Sequence, residues 1–322
     1  MTYAAMLLSA ATLLAAADPA AAQNTPKLDT LKVAVPQRGA WDTSISEIGQ
    51  RAGVFKRHGI TVELLFTQGG AESQQAVISG DIDIAVSVGF AAVLGAAAKG
   101  APVRVISAET TGQPDIYWFV PAASSIHGVA DLKDKTIGYS VTGSSSHAAI
   151  LGLLAQEKIA AKPTSTGGLT ASFTQAMTGQ VDVGWTTIPI GLKEIDEGKI
   201  RAVARAADVK SLQDRTVRVN ITNAATFEQR KALLDRYLAA YRETIDYMYT
   251  APEALAMFAE IANVPLAVAQ KIPGLVPKSA LSVEQVVGMD ATVAEAIATK
   301  FIAAPLTKAQ IAELIRTPAP VK

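Results

Sequence analysis

The stretch SGDIDIAVS (79–87) returns in altered form as TGQVDVGWT (178–186), with Gly80 matching Gly179 and Asp83 matching Asp182. A glycine pair opens the helical pattern before each copy, Gly69-Gly70 in the first case and Gly167-Gly168 in the second. A repeat of helix, turn and β-branched strand on this scale implies two similar α/β lobes. Because Asp83 and Asp182 occupy equivalent places, a shared structural role is expected of them rather than chemistry.

The alternation extends outward from both copies. Strand patterns LKVAV (31–35), ITVELLF (60–66), DIDIAVS (81–87) and VRVIS (103–107) alternate with helical patterns at 44–59, 71–80 and 90–100. DKTIGYS (134–140), the helical run from Ser145 to Lys158 and VDVGWT (181–186) then repeat the theme. Such alternation predicts parallel sheets with crossover helices. The Gly- and Pro-punctuated ETTGQPDIYWFVP (109–121) suits a first crossing between lobes, and VRVNITNAA (217–225) a second. From Thr226 onward the pattern is almost wholly helical, long enough to pack back on the first lobe. The expected fold class is α/β: two doubly wound lobes, 23–112 with 222–322 and 113–221, joined by two crossover segments with a ligand cleft between them.

Composition narrows the function. With 322 residues and 49% hydrophobic content a large core is affordable, and a formal net charge of +0 offers no field for a nucleic acid backbone. The absence of Cys removes disulfides, thiolate metal sites and thiol nucleophiles together. Residues 1–22, MTYAAMLLSAATLLAAADPAAA, hold no Lys, Arg or Glu and end in small residues, so they are expected to be a secretory signal that leaves a soluble product. His58, His127 and His147 lack metal-ligand spacing, and no catalytic motif is visible, so no metal, cofactor or catalytic residue is expected. Tyr237, Tyr241 and Met248 are spaced for one buried helix face. Glu109, at the first crossing, either closes the cleft or is solvated.

In open α/β sheets ligands bind beyond the carboxyl ends of strands. The most informative such loop lies in TIGYSVTGSSSHAAI (136–150), where Gly143 lets the chain turn close to a guest and a helix starting near Ser145 presents unpaired N–H groups. The hydroxyls of Thr142, Ser144, Ser145 and Ser146 add donors and the helix dipole adds partial positive charge, a cradle for a small oxyanion without a formal countercharge. The plainer alternative is one serine as helix cap with the others solvated. Trp41 and Trp185 fall at strand tips, one per lobe, with Phe90 opening a helix; they either sandwich a ligand or fill the core. Arg38 is the cation near the first strand's end that can fork onto a carboxylate or sulfonate.

The segments 51–107, DLKDKTIGYSVTGSSSHAAILGLL (131–154) and TGQVDVGWTTIP (178–189) resemble the periplasmic substrate-binding proteins of ABC importers for sulfonates, taurine and nitrate, a grouping that includes binders of thiamine pyrimidine precursors and aromatic carboxylates. The resemblance implies a type II periplasmic-binding fold, hinge closure over one small organic anion, location in the periplasm, and partners in a membrane permease and its ATPase, with the chain acting as a monomer. It places ligand contacts at Gln37, Arg38 and Trp41, at Ser87, Gly89 and Phe90, at Gly143 to His147, and at Trp185 and Thr186. The rival readings are an enzyme like the pyrimidine-precursor synthase of the same fold, or a periplasmic sensor that presents its ligand to a receptor. No arginine pair is visible in these segments, and the ligand's identity stays open.

Overall fold

The computed structural model describes residues 28–318; the expected signal at 1–22 lies outside them. The elements run β1 (Asp29–Pro36), α1 (Ile45–Arg51), α2 (Val54–Arg57), β2 (Ile60–Thr67), α3 (Gly70–Ser79), β3 (Ile84–Gly89), α4 (Phe90–Ala98) and β4 (Val103–Thr111). There follow β5 (Ile116–Pro121), β6 (Thr136–Tyr139), α5 (Ser145–Glu157), β7 (Lys162–Ser165), α6 (Leu169–Met177), β8 (Gly184–Thr187), α7 (Leu192–Asp196) and β9 (Ile200–Arg205). Last come β10 (Thr216–Asn223), α8 (Ala224–Thr250), α9 (Pro252–Ala262) and shorter helices to Leu314. No single helix among the described residues is long and apolar enough to cross a membrane.

One five-stranded sheet has the order β2-β1-β3-β10-β4; a second group holds β8-β5-β9 and the pair β6-β7, joined by a parallel bridge between Ile137 and Val183. The chain passes from the first sheet to the second between Thr111 and Ile116 and returns between Arg205 and Thr216. The segment expected to be a second crossing is instead largely a central strand. All eight residues of β10 are buried, and its β-branched run pairs antiparallel with β3 on one side and β4 on the other. The expected single helix at 44–59 is also two, α1 and α2, because Gly53 takes a left-handed φ of 70° between them.

The repeat has a physical counterpart. Gly80 and Gly179 follow α3 and α6 with φ of 86° and 74°, the left-handed step that ends a helix at low cost when Cβ is absent. Asp83 Oδ2 accepts from Lys32 N at 2.8 Å, and Asp182 Oδ2 accepts from Thr136 N at 2.7 Å. Each aspartate therefore ties the third strand segment of its unit to the first, the structural role the sequence predicted.

Apolar side chains from β1, α1, α8 and α9 cover one face of the first sheet, with Leu31, Val33, Ile45, Ile48, Phe55 and Phe258 in the cluster. Tyr237, Tyr241 and Met248 of α8 belong to it, as expected of their spacing. A second cluster around Val88, Phe90, Leu94 and Ile221 covers the other face, and a third around Trp118, Ile137, Ile150 and Leu153 fills the second lobe. These layers leave the carboxyl ends of β1 and β3 facing the amino end of α5.

Candidate functional site

A cavity with about 40 Å³ of room for the centre of a water molecule lies where those ends meet. That is space for a compact polar group. The enclosure is tight: a methyl group on Gly89 would stand 3.0 Å from the Gly143 carbonyl oxygen and 3.2 Å from Ser145 N. Gln37 and Ser87, both on the wall, hold left-handed φ values of 54° and 55°. Such conformations cost energy for residues with a Cβ and concentrate at functional sites.

Eight of the expected residues line the cavity: Gln37, Ser87, Gly89, Gly143, Ser144, Ser145, Ser146 and Trp185. The serines divide their work. Ser144 Oγ caps α5 by accepting from His147 N at 3.2 Å, and Ser146 Oγ accepts from Ser140 N at 3.0 Å. Ser145 Oγ accepts from Arg218 Nε at 3.0 Å, which leaves its O–H to donate. The N–H groups of Ser145 and Ser146, at the start of a 13-residue helix, have no backbone acceptor. So the cap expected as the plainer alternative and the donor cradle are both present, on different serines.

The other six stand off the wall. Trp41 is fully buried in the first-lobe core, edge-on to Phe258 at 4.8 Å and Tyr249 at 5.6 Å, with Nε1 donating to Tyr249 Oη at 2.9 Å. The ligand sandwich by two tryptophans is therefore corrected: α9 and the end of α8 cover Trp41 before any guest can. Trp185 does border the cavity, and its Nε1 donates to Thr166 Oγ1 at 3.1 Å. Phe90 is buried in the core cluster behind α4. Arg38 forks onto Glu47, at 2.7 and 3.0 Å, and stacks on Phe66, so its fork is already filled. Thr142 is exposed, Thr186 Oγ1 donates to Ile190 O at 3.3 Å, and His147 stacks on Tyr139 at 4.1 Å. Burial lowers the His147 pKa from its ordinary value.

The charged heart of the site was missed. Arg218 Nη1 donates to Asp42 Oδ2 and to Asp115 Oδ2, both at 2.9 Å, with all three side chains buried. Ser87 Oγ donates to the Asp42 carboxylate at 2.7 Å and Thr187 Oγ1 to that of Asp115 at 2.7 Å. All five residues line the cavity. The expectation of a cradle without a countercharge thus fails, since a guanidinium stands against Ser145. Burial alone would lower the Arg218 pKa, but Asp115 and Asp42 hold it above its ordinary value. Burial also raises the Asp42 pKa, against the pull of Arg218. The one trace of this in the sequence is an Arg and an Asn at alternate positions, 218 and 220, where residues 216–222 are otherwise Val, Ile and Thr.

Glu109 neither rims the cleft nor meets solvent; it is 1% exposed, and Thr110 Oγ1 donates to its Oε2. Burial, then the charge of Asp42, push its pKa from near 4.5 up to about 8. The folded protein therefore keeps a proton that the unfolded chain gives up, and this group's contribution to stability falls as pH rises from about 4.5 through about 8. Urea unfolding between pH 5 and pH 8 should show the wild type losing stability relative to Glu109→Gln, by up to about 1.4 kcal/mol per pH unit. Parallel curves would place the glutamate's proton elsewhere.

The sequence model of one family, described as NMT1/THI5 like, matches residues 47–255. No curated protein matches the chain. Solved structures do. The alkanesulfonate-binding protein SsuA from Xanthomonas axonopodis pv. citri, bound to MOPS, superposes with a TM-score of 0.75 at 19% identity, over 90% of this chain and 98% of that one. The periplasmic aliphatic sulphonate binding protein SsuA from Escherichia coli gives a TM-score of 0.69 at 20% identity, over 91% and 94% of the two chains. The desulfurization enzyme DSZB gives 0.61 at 14% identity, over 88% and 95%. At such identities the likeness is one of fold. The chain has the α/β fold of the periplasmic binding proteins, and that fold also carries an enzyme.

Proposed function

The chain belongs to the NMT1/THI5-like family, and from that premise we propose that it is the substrate-binding component of an ABC import system. In this reading it captures a small organic anion in the periplasm, between a first lobe of 28–111 with 216–318 and a second of 116–205, the expected bound at 221 moving to 216 because β10 pairs in the first sheet, and delivers it as a monomer to a permease and its ATPase. One observation carries the reading: a partly open cavity at the strand ends into which the start of α5 presents Ser145 and Ser146. Helix starts favour anions through free N–H groups and the dipole. The fold's occurrence in alkanesulfonate- and sulphonate-binding proteins supports the same class of guest.

A binder is favoured over an enzyme by how the ionisable groups are used. Asp42, Asp115 and Arg218 are locked to one another, and the nearby imidazole of His147 accepts at Nδ1 from Gly143 N at 3.4 Å while stacked on Tyr139. None is set beside a free nucleophile in the way group-transfer sites require.

A thermal-shift panel of alkanesulfonates, taurine, aromatic carboxylates, nitrate and pyrimidines tests the proposal. A ligand at a hundred times its Kd adds about 2.7 kcal/mol of stability, and a panel that moves nothing removes the reading. With the ligand found, Ser145→Ala should weaken it by about 1.5–3 kcal/mol in calorimetry, through loss of a hydrogen bond to a charged group. An unchanged affinity would move the anion away from α5.

A further inference from the structure

We infer that a second cavity, between the two crossings, is a water site: one water molecule, held by the amide of Gln113 and by Nε of Arg215, joins the segments that carry the chain from lobe to lobe. The inference holds whichever guest the main cavity takes. Its first ground is position. The chain leaves the first sheet after Thr111 and re-enters it at Thr216, and these two residues face each other in the β4–β10 ladder. One step further out, Gly112 N donates to Arg215 O at 3.1 Å, so the crossings touch there. Beside that contact lies the second cavity, lined by Gln113 of the first crossing, Arg215 of the second, and Thr292 and Glu295 of the helix Met289–Ala298. None of these four borders the main cavity.

The second ground is bonding capacity left over. Gln113 is fully buried, yet among the described residues neither its Oε1 nor its Nε2 has a partner. Arg215, 3% exposed, donates from Nη1 to Ala291 O at 3.0 Å and pairs through Nη2 with Glu295 Oε2 at 2.6 Å, while its Nε–H has no partner among the described residues. The amide brings two N–H groups and a carbonyl oxygen, and the guanidinium a third N–H. Leaving them unpaired in the interior is costly, and folded proteins meet such groups with internal water.

The third ground is size and charge. The room available to the centre of a water molecule is about 10 Å³, about what one water needs and too little for an organic guest. An anion would accept from the N–H groups but press against Gln113 Oε1 and the Glu295 carboxylate; a cation would meet the Arg215 guanidinium. Water both donates and accepts, so it serves the N–H groups and the carbonyl together. Joined this way, the crossings are held by bonds that water can trade as the segments turn, without stranding a buried group.

A high-resolution crystal structure of the wild-type protein tests the site directly. Density for one water should lie about 2.7–3.2 Å from the Gln113 amide and from Arg215 Nε. Clear density without that peak, an ion in its place, or an amide paired with protein groups overturns the inference. Gln113→Met keeps the length of the side chain, removes its amide and reads the sign of the effect. If water completes the bonding, the variant strands Arg215 Nε and the Tm should fall by about 2 °C or more. If the amide is merely unsatisfied, deleting it relieves a cost, so an equal or higher Tm overturns the inference. Hydrogen exchange reads the joint: in Gln113→Met the Gly112 amide should exchange about ten times faster or more, measured relative to the amides of β10. An unchanged ratio would mean that the water does not link the crossings, which also overturns the inference. Should Gln113→Met fail to fold, the wild-type density still decides.

Discussion

Arg218→Met should lower stability at pH 7.5 by about 3–5 kcal/mol, the cost of removing one partner from a buried ion pair. The Asp42 and Asp115 side chains are only 3% and 2% exposed, so without the guanidinium they have Ser87 and Thr187 as donors and no countercharge. Their remaining way to relax is to take up protons. The loss should therefore shrink when urea unfolding is repeated at pH 5, where folded-state protonation of the orphaned carboxylates is cheaper. A loss below about 1 kcal/mol at pH 7.5 would mean that the cluster is hydrated and contributes little. Ligand binding should disappear along with it, since the same guanidinium orients Ser145 Oγ.

Trp41→Ala should cost a similar amount, about 3–5 kcal/mol, by a different route. The indole is fully buried between Phe258 and Tyr249, and its removal opens a cavity that α9 cannot fill without leaving its own contacts. Tyr249 Oη keeps its bond to Val276 O at 2.7 Å but loses the indole donor. Measured on the folded fraction, affinity for the ligand should change little, because Trp41 does not border the cavity. A large loss of affinity with unchanged stability would return Trp41 to the ligand and count against the packing described here.

The architecture was legible because its signals are local. Hydrophobic period distinguishes β1 to β4 from the helices between them, and the matched Gly80–Asp83 and Gly179–Asp182 units turn out to make matched backbone ties. The Gly143–Ser146 turn was readable for the same reason, since its glycine, its serines and the helix start that follows are contiguous in the chain, and both uses offered for it are present. For Trp41 the sequence left ligand sandwich and core filling open, because what covers it lies far along the chain. The residues that cover it, Tyr249 and Phe258, come from helices about two hundred positions away.

Residue order was thus enough to establish a duplicated α/β scaffold, with donors at the start of one helix, since each of those features is encoded within a few turns of chain. The charges that line the cavity were settled by assembly. Asp42, Asp115 and Arg218 lie on three separate segments, and nothing in their local sequence marks them as neighbours. They meet because β10 runs antiparallel through the middle of the first sheet and carries Arg218 beside the end of β3, where burial makes each charge depend on the others.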